Sequence, residues 1–226
     1  MASVYAINGK ILYSKKGANH RETVISAIKE GISLGLADLS YLDLTGVKFD
    51  CVSLVAADLS GSQLRGCSFV RTDLTGAKLD SASASGVNFS NSGLLRASFK
   101  GSNLELALFC NTYIKSADFS GANLWGANFC NASAHDTDMS SANIYDADFT
   151  LVDLSTVNFE GAIVGFCDEV RGRRRAKLVK ALNKGELVVN KYGWRIDLAG
   201  PGCPTKWVRS WDTVMICVDK KDENDG

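Results

Sequence analysis

A five-residue periodicity dominates the middle of the chain. An apolar residue occurs at position 34 and at every fifth position up to 164, without a single insertion. Of these 27 central positions, 12 are Leu, 9 are Phe and 2 are Ile, and the others are Ala84, Ala134, Met139 and Val164. Helix faces recur at about 3.6 residues and strand faces at 2, so neither element produces this period. The pattern requires an architecture whose unit is five residues long.

The other positions of the unit are also restricted. The residue two places before each central position is small in most units. It is Ala in 13 units, Val in 5, Ser in 3, Thr in 3 and Cys67 in one, and the two larger exceptions, Ile32 and Leu42, occur near the start of the repeat. The residue just before the centre is Asp or Asn in 14 units, and Gly is frequent two places after it. Asx and Gly favour turns. Such a unit cannot bury its apolar groups alone, so units must wind into coils that stack.

Identical residues recur every 20 positions, which indicates four units per coil. One column consists of Phe49, Phe69, Phe89, Phe109, Phe129 and Phe149. The opposite column is Leu39, Leu59, Leu79, Phe99, Phe119, Met139 and Phe159. The sequence therefore predicts an all-β solenoid of four-sided coils over residues 32–166. Its nearly seven coils, spaced like neighbouring strands, form a rod about 32 Å long.

The unit Ala-(Asp/Asn)-Leu-X-X, with Leu or Phe at its centre, resembles the repeat of the pentapeptide-repeat family over residues 32–164. The resemblance implies a right-handed quadrilateral β-helix. The best understood family members are rods that resemble duplex DNA in width and charge and bind DNA gyrase or topoisomerase IV. The resemblance thus implies a DNA-mimicking inhibitor or protector of a DNA-processing enzyme, without enzymatic activity or cofactor. The chain lacks the interrupting loops of some such members and adds a C-terminal lobe, which leaves another nucleic-acid-binding host or phage protein open as the partner.

Residues 1–31 are expected to cover the first coil. Segments 4–7 and 10–13 flank Asn8-Gly9, which predicts a β-hairpin with a tight turn. Asn19 and Glu22 form a capping-box pattern at the start of a helix that ends near Gly31. The helix directs one apolar face at the coil, consisting of Val24, Ile25, Ile28 and Ile32.

Residues 167–226 form the predicted C-terminal domain and a candidate homodimer interface. Residues 171–184 contain seven basic and no acidic side chains, which predicts a basic amphipathic helix. A small β-rich lobe with Trp194, Trp207 and Trp211 follows, and its expected strands are 186–190, 194–198, 206–211 and 213–219. The polar tail from Lys220 is expected to be disordered. Direct DNA binding by the basic helix is a third hypothesis, which the nearby acidic residues disfavour.

Two surface features are candidate partner-binding sites. No Lys or Arg occurs from residue 116 to 170, and we define the acidic set as the seven carboxylates on the last coils: Asp118, Asp136, Asp138, Asp146, Asp148, Asp153 and Glu160. Their density matches that of B-DNA, which carries one charge per about 1.7 Å. The alternative, that Asp before the centre is only the turn residue of the repeat, does not explain Asp136, Asp146 or Glu160. The second feature is an outward column of Glu105, Trp125 and Tyr145, which either anchors a partner or is covered by a terminal lobe.

Other chemistries find little support in the sequence. His20 and His135 have no nucleophile spaced near them, and the seven cysteines form no CxxC pattern, so we expect free thiols and no metal site. A Cys110–Cys130 disulfide and metal binding by Cys167, Cys203 and Cys217 are less favoured alternatives. No apolar run spans a membrane and no signal peptide precedes the repeat, which favours a cytoplasmic protein. The main functional alternative to a DNA mimic is a rigid scaffold or adaptor whose terminal lobes bind partners.

Overall fold

The chain begins with a β-hairpin that pairs with the first coil. The computed structural model describes residues 2–163 and the backbone of residues 188–190 and 193–195. Strand β1 (Ala2–Ala6) pairs antiparallel with β2 (Ile11–Lys15) and with β3 (Ala37–Asp38), in the order β2-β1-β3. The predicted hairpin is confirmed, but the prediction of a two-residue turn at Asn8-Gly9 is wrong. Gly9 N–H donates to Ala6 O and Ala6 N–H to Lys10 O, so the loop has three residues, with Gly9 at φ +81°.

Helix α1 (His20–Lys29) follows and confirms the predicted capping box. Glu22 N–H donates to the Asn19 side chain (2.8 Å), and Asn19 N–H donates to the Glu22 carboxylate (3.1 Å). At the other end, Ile32 N–H reaches Ala27 O across Gly31, which has φ +69°. Val24 and Ala27 are fully buried in the same cluster as the coil side chains, while Ile25, Ile28 and Ile32 pack against its rim. The helix therefore covers the open end of the first coil.

The central region is the expected stack of four-sided coils. Parallel bridges join residues 20 apart, from Asp38–Asp58 to Asn143–Ile163. The backbone N–H of a central residue donates to the carbonyl 19 residues later, as in Phe109 to Asn128 (2.7 Å). We number the sides by their first central residues, Leu34 (side 1), Leu39 (side 2), Leu44 (side 3) and Phe49 (side 4). Because every side repeats after 20 residues, each hydrogen-bonds to the same side of the next coil.

Turns with a positive φ make the corners of each coil. The residue three places after a central residue donates to its carbonyl, as in Val47 N–H to Leu44 O (2.9 Å). Between them, the residue two places after the centre has a positive φ at Gly and non-Gly positions alike, with Thr156 as the exception among the described coils. Sixteen non-Gly residues, from Leu36 to Leu151, adopt this conformation, which is normally unfavourable for a residue with a Cβ. At most of them the backbone N–H donates to a carbonyl of the next coil, as in Tyr41 to Ser60 O (2.9 Å), which stabilises this conformation.

The central side chains fill the rod. All 26 central positions from Leu34 to Phe159 are buried. Successive phenylalanines of side 4 stack at centroid distances of 4.6–5.0 Å. Rings of side 2 meet them edge-on, as at Phe109 and Phe119 (5.5 Å). The two columns therefore face each other across the core, as predicted.

Polar residues at the small inward position are satisfied by backbone carbonyls. The Ser62 hydroxyl donates to Leu59 O (2.6 Å), and the Thr137 hydroxyl reaches Ile114 O on the previous coil (2.9 Å). The Cys67 thiol bonds in the same way to Leu44 O (3.0 Å). The core thus accepts hydroxyl and thiol groups without leaving a buried donor unpaired.

Thiol reactivity should separate two cysteines of the rod. Cys51 is exposed, whereas Cys67 is buried, and burial raises the pKa of the Cys67 thiol to about 11. Because the thiolate is the reactive form, we expect a maleimide at pH 7 to modify Cys51 rapidly and Cys67 only after unfolding. Peptide mass spectrometry with and without denaturant measures both sites. Labelling of folded Cys67 at the rate of Cys51 would contradict this packing.

The described part of the C-terminal domain is one short hairpin. Strand β4 (Val188–Asn190) pairs antiparallel with β5 (Gly193–Arg195). It coincides with the first two expected strands, although Gly193 pairs with Asn190 instead of lying between them. The other expectations lie outside the described residues, namely Val164, the basic helix 171–184, strands 206–211 and 213–219, the tail, Trp207, Trp211, Cys167, Cys203 and Cys217. Among the residues described, no helix is long and apolar enough to cross a membrane.

Candidate protein-binding surface

Four members of the acidic set cap their own turns. In each, carboxylate Oδ1 accepts the backbone N–H two residues later, at 2.8–2.9 Å, and the four residues are Asp118, Asp138, Asp148 and Asp153. These hydrogen bonds lower the pKa of Asp153, where the Ser155 backbone N–H is the main cause and the Ser155 hydroxyl adds to it. The structure therefore gives these four carboxylates a local role, as the turn-residue alternative proposed.

The other three members lie at corners. Asp136 and Asp146 occupy positive-φ positions (both +56°), and Glu160 follows the central Phe159. All three are exposed. Asp is among the few residues that tolerate the left-handed conformation, so Asp136 and Asp146 also suit the local backbone. No hydrogen bond of these three carboxylates to a turn is found in the described structure, and the Asp136 N–H donates to the Thr156 hydroxyl (2.9 Å).

The acidic set surrounds the rod and does not lie on one face. Asp118 and Asp138 stack on side 2 and pair as a parallel bridge. Asp153 lies on side 1. The three corner residues lie at three different corners. Asp136 is between sides 1 and 2, Glu160 between sides 2 and 3, and Asp146 between sides 3 and 4. Negative charge on several sides is the distribution that a groove enclosing duplex DNA would meet.

Two members of the set are less available than the sequence suggested. Asp148 is only 6% exposed, although its position in the unit points outward, and its Oδ1 accepts from Thr150 N–H and hydroxyl. It does not belong to the accessible surface, which corrects its expected placement. Asp118 forms an ion pair with Lys100 (3.1 Å). Burial opposes ionisation of Asp118, but hydrogen bonds from Ser120 and the Lys100 contact prevail and lower its pKa.

Trp125 and Tyr145 lie on adjacent coils at the corner between sides 3 and 4. Their exposures are 37% and 41%, which leaves both rings accessible to a partner. Leu106 is exposed beside them, and a Cβ placed at Gly126 would lie 2.7 Å from Leu106 Cδ2. The sequence predicted the two aromatic residues but missed Leu106. The sequence feature that could have indicated Leu106 is Gly126, 20 residues later, which leaves room for the leucine side chain.

A ladder of asparagine side chains supports this corner. Asn143 Nδ2 donates to Asn123 Oδ1 (3.0 Å), and Asn123 Nδ2 donates to Asn103 Oδ1 (3.2 Å). Asn123 Oδ1 also accepts the backbone N–H of Trp125 (3.4 Å), and Asn143 Oδ1 accepts that of Tyr145 (3.2 Å). Each aromatic residue is therefore held at its backbone by the ladder.

A second apolar surface, which the sequence did not reveal, lies at the N-terminal end. Tyr5, Ile7 and Ile11 of the hairpin are exposed. Ile7 N–H donates to Leu36 O, and Leu36 N–H donates to Val55 O, so these exposed side chains continue the surface onto the first two coils. It lies at the corner between sides 1 and 2, diagonally opposite Trp125.

The histidines form no recognisable catalytic site in the described structure. His20 lines a cavity of about 180 Å³ with Asp38 and Ser40, where the Ser40 hydroxyl donates to Asp38 Oδ1 (2.6 Å). Typical small-molecule sites are about 300–1,000 Å³. The imidazole of His135 lies 3.5 Å from the Thr156 hydroxyl at an exposed corner. Within residues 2–163 no cluster of His, Cys, Asp or Glu is arranged to hold a metal ion.

Comparison with known proteins identifies the repeat. The family described as Pentapeptide repeats matches residues 53–91, 92–129 and 122–161, with eight copies. No curated protein sequence matches the chain. Similar solved structures include a pentapeptide repeat protein of the Arabidopsis thaliana thylakoid lumen, with 24% identity over 63% of this chain and 77% of that one, at a TM-score of 0.28.

Two further solved structures are similar. Rfr23, a pentapeptide repeat protein from the cyanobacterium Cyanothece 51142, has 20% identity over 65% of this chain and 96% of its own, with a TM-score of 0.34. QnrB1, a plasmid-mediated fluoroquinolone resistance protein, has 19% identity over 60% of this chain and 83% of its own, with a TM-score of 0.30.

Proposed function

Because the chain belongs to the pentapeptide-repeat family, we propose that it is a non-enzymatic protein-binding module whose last coils mimic DNA. Its partner is a DNA-processing enzyme such as DNA gyrase or topoisomerase, which it inhibits or protects. The acidic coils occupy a cationic groove that otherwise receives nucleic acid. In this hypothesis the protein acts in the cytoplasm and needs no cofactor.

The observation that carries the proposal is the unmixed charge of the last coils. From Ser116 to Ile163 the chain has no Lys or Arg, and its exposed carboxylates point outward from several sides. A cationic groove is attracted by such a surface over distances set by the Debye length, about 10 Å at 0.1 M salt. The capping role of Asp138 and Asp153 does not remove their charge, so they add to the field of the corner residues.

Salt dependence tests the proposal directly. Affinity for purified DNA gyrase and topoisomerase IV would be measured by calorimetry at about 50 and 200 mM salt, with supercoiling assays in parallel. We expect inhibition of supercoiling at low salt and a loss of affinity of about tenfold or more at the higher salt, because screening weakens complementary charged surfaces. Absence of binding to both enzymes at low salt would contradict the proposal for this enzyme class.

A rigid scaffold is the second candidate function. The observation that favours it is the exposed apolar surface of the N-terminal hairpin, formed by Tyr5, Ile7 and Ile11, at the opposite end and corner from Trp125. Two separate surfaces on a stiff rod suit an adaptor that binds two partners. In that case, binding would depend on apolar contact and change little with salt, which distinguishes it from DNA mimicry.

A further inference from the structure

The aromatic corner combines rings with carboxylates in a regular array. On three successive coils, one outward column is Glu105, Trp125 and Tyr145, and the column beside it is Leu106, Gly126 and Asp146. The coil spacing of about 4.8 Å places Glu105 and Asp146 roughly 10 Å apart along the axis. Trp125 therefore lies on the coil between Glu105 and Asp146, Tyr145 precedes Asp146 on the same coil, and Leu106 is the apolar neighbour.

The backbone of this array is fixed before any partner arrives. Leu106 N–H donates to Trp125 O and Gly126 N–H to Tyr145 O, both at 2.8 Å. The asparagine ladder secures the same turns from the adjoining side. Because the backbone that carries the rings is already ordered, it loses little conformational freedom on binding, which favours affinity for a ligand that stacks on them.

We infer that this array, Glu105, Trp125, Tyr145 and Asp146, is a binding site for an arginine side chain of the partner protein. The inference deepens the proposed function and rests on it for the identity of the partner surface, a cationic groove. A guanidinium group stacks on the face of Trp or Tyr and at the same time donates to a carboxylate. Both kinds of acceptor are present here on the same coil or on adjacent coils, which are about 4.8 Å apart along the axis.

Charge complementarity selects arginine over an apolar anchor. Glu105 and Asp146 would be left facing an apolar side chain at a cost, whereas they attract a cation. In the described coils after Lys115 the protein offers no Lys or Arg of its own that could compete for the rings. Lysine would satisfy the carboxylates but lacks the planar group that stacks, so the site should discriminate between the two cations.

Two peptides of equal charge test the inference. Fluorescein-labelled twelve-residue peptides that alternate Arg with Gly, or Lys with Gly, would be titrated with the full chain and followed by fluorescence anisotropy. We expect the Arg peptide to bind about two- to fivefold more tightly than the Lys peptide. W125A should reduce this ratio to about one, whereas W125F should retain part of it because a ring remains.

Matched variants separate the site from general attraction. Y113A removes a similarly exposed aromatic residue from side 1 and should leave the ratio unchanged. Neutralising Asp136 and Glu160 should weaken both peptides alike without altering the ratio. Thermal unfolding of each variant confirms that the fold is retained. Equal affinity of the parent chain for both peptides, or an unchanged ratio in W125A, overturns the inference.

The peptide experiment and the gyrase experiment can fail separately, so their outcomes are distinguishable. If the Arg preference depends on Trp125 but gyrase and topoisomerase IV are not bound, the arginine site stands and the named enzyme class is wrong. If gyrase is inhibited and the Arg preference is absent, the acidic coils act without this site.

Discussion

Replacing Phe109 by alanine is expected to lower the free energy of unfolding by about 4 kcal/mol, near the middle of the range for buried Phe→Ala changes. Phe109 stacks on Phe89 (5.0 Å) and Phe129 (4.6 Å), and meets Phe99 (5.9 Å) and Phe119 (5.5 Å) edge-on. Each aromatic pair contributes about 0.5–1.5 kcal/mol beyond the area it buries. The cavity would lie in the middle of the rod, where the coils on both sides restrict its collapse.

Denaturant unfolding monitored by circular dichroism measures the loss, and two control variants locate its origin. F49A removes the first ring of the same column, which stacks only on Phe69 in the described structure (4.8 Å), and should cost about 1–2 kcal/mol less. F109L keeps most of the buried volume and should cost about 1 kcal/mol. A loss below about 1.5 kcal/mol in F109A, or a larger loss in F49A, would show that the stacked column does not stabilise the rod as described.

The coil was predictable because the sequence preferences that define it are set within one five-residue unit. Period, inward positions and Asx turns all follow from side-chain type, and the 20-residue spacing of the phenylalanines fixed the number of sides. The positive φ at Leu36 or Tyr41 was not predictable, because it is imposed by hydrogen bonds to other coils and opposes the preference of those residues. The position of Ile7 was not predictable either. The sequence pattern assigned it to the first strand, but β1 ends at Ala6 and Ile7 lies in the loop, where its N–H donates to Leu36 O.

The candidate site was predictable only in part, since exposure is a tertiary property. The division of the acidic set into turn-capping and other members was visible from the position of each Asp in the unit. The burial of Asp148 was not visible in the sequence, because Asp148 occupies the same position in the five-residue unit as the less buried Asp138. The N-terminal apolar surface arises where the hairpin meets the first coils, and no single segment carries its signal.

Neutralising Asp136, Asp146 and Glu160 together is expected to raise the concentration that inhibits gyrase supercoiling about tenfold or more, which abolishes inhibition at the concentration effective for the parent chain. These are the exposed members of the set that do not cap a turn, so the change removes charge and little structure. Asn is the suitable replacement for both Asp residues, because Asn also tolerates their left-handed conformation (φ +56°). Gln replaces Glu160 without change of shape. Thermal unfolding should therefore be nearly that of the parent.

A second triple variant separates position from net charge. D50N/D73N/D80N removes the same number of charges from the earlier coils, and Asn retains the oxygen that accepts Val70, Thr75 and Lys100 N–H. Those coils also carry Arg71 and Lys78, so they present no unmixed negative surface, and inhibition should be close to that of the parent chain. If both triple variants lose inhibition equally, the effect is one of overall charge. If the Asp136/Asp146/Glu160 variant inhibits like the parent, the last coils are not a DNA mimic, and the apolar surfaces at the two ends of the rod become the better account of partner binding.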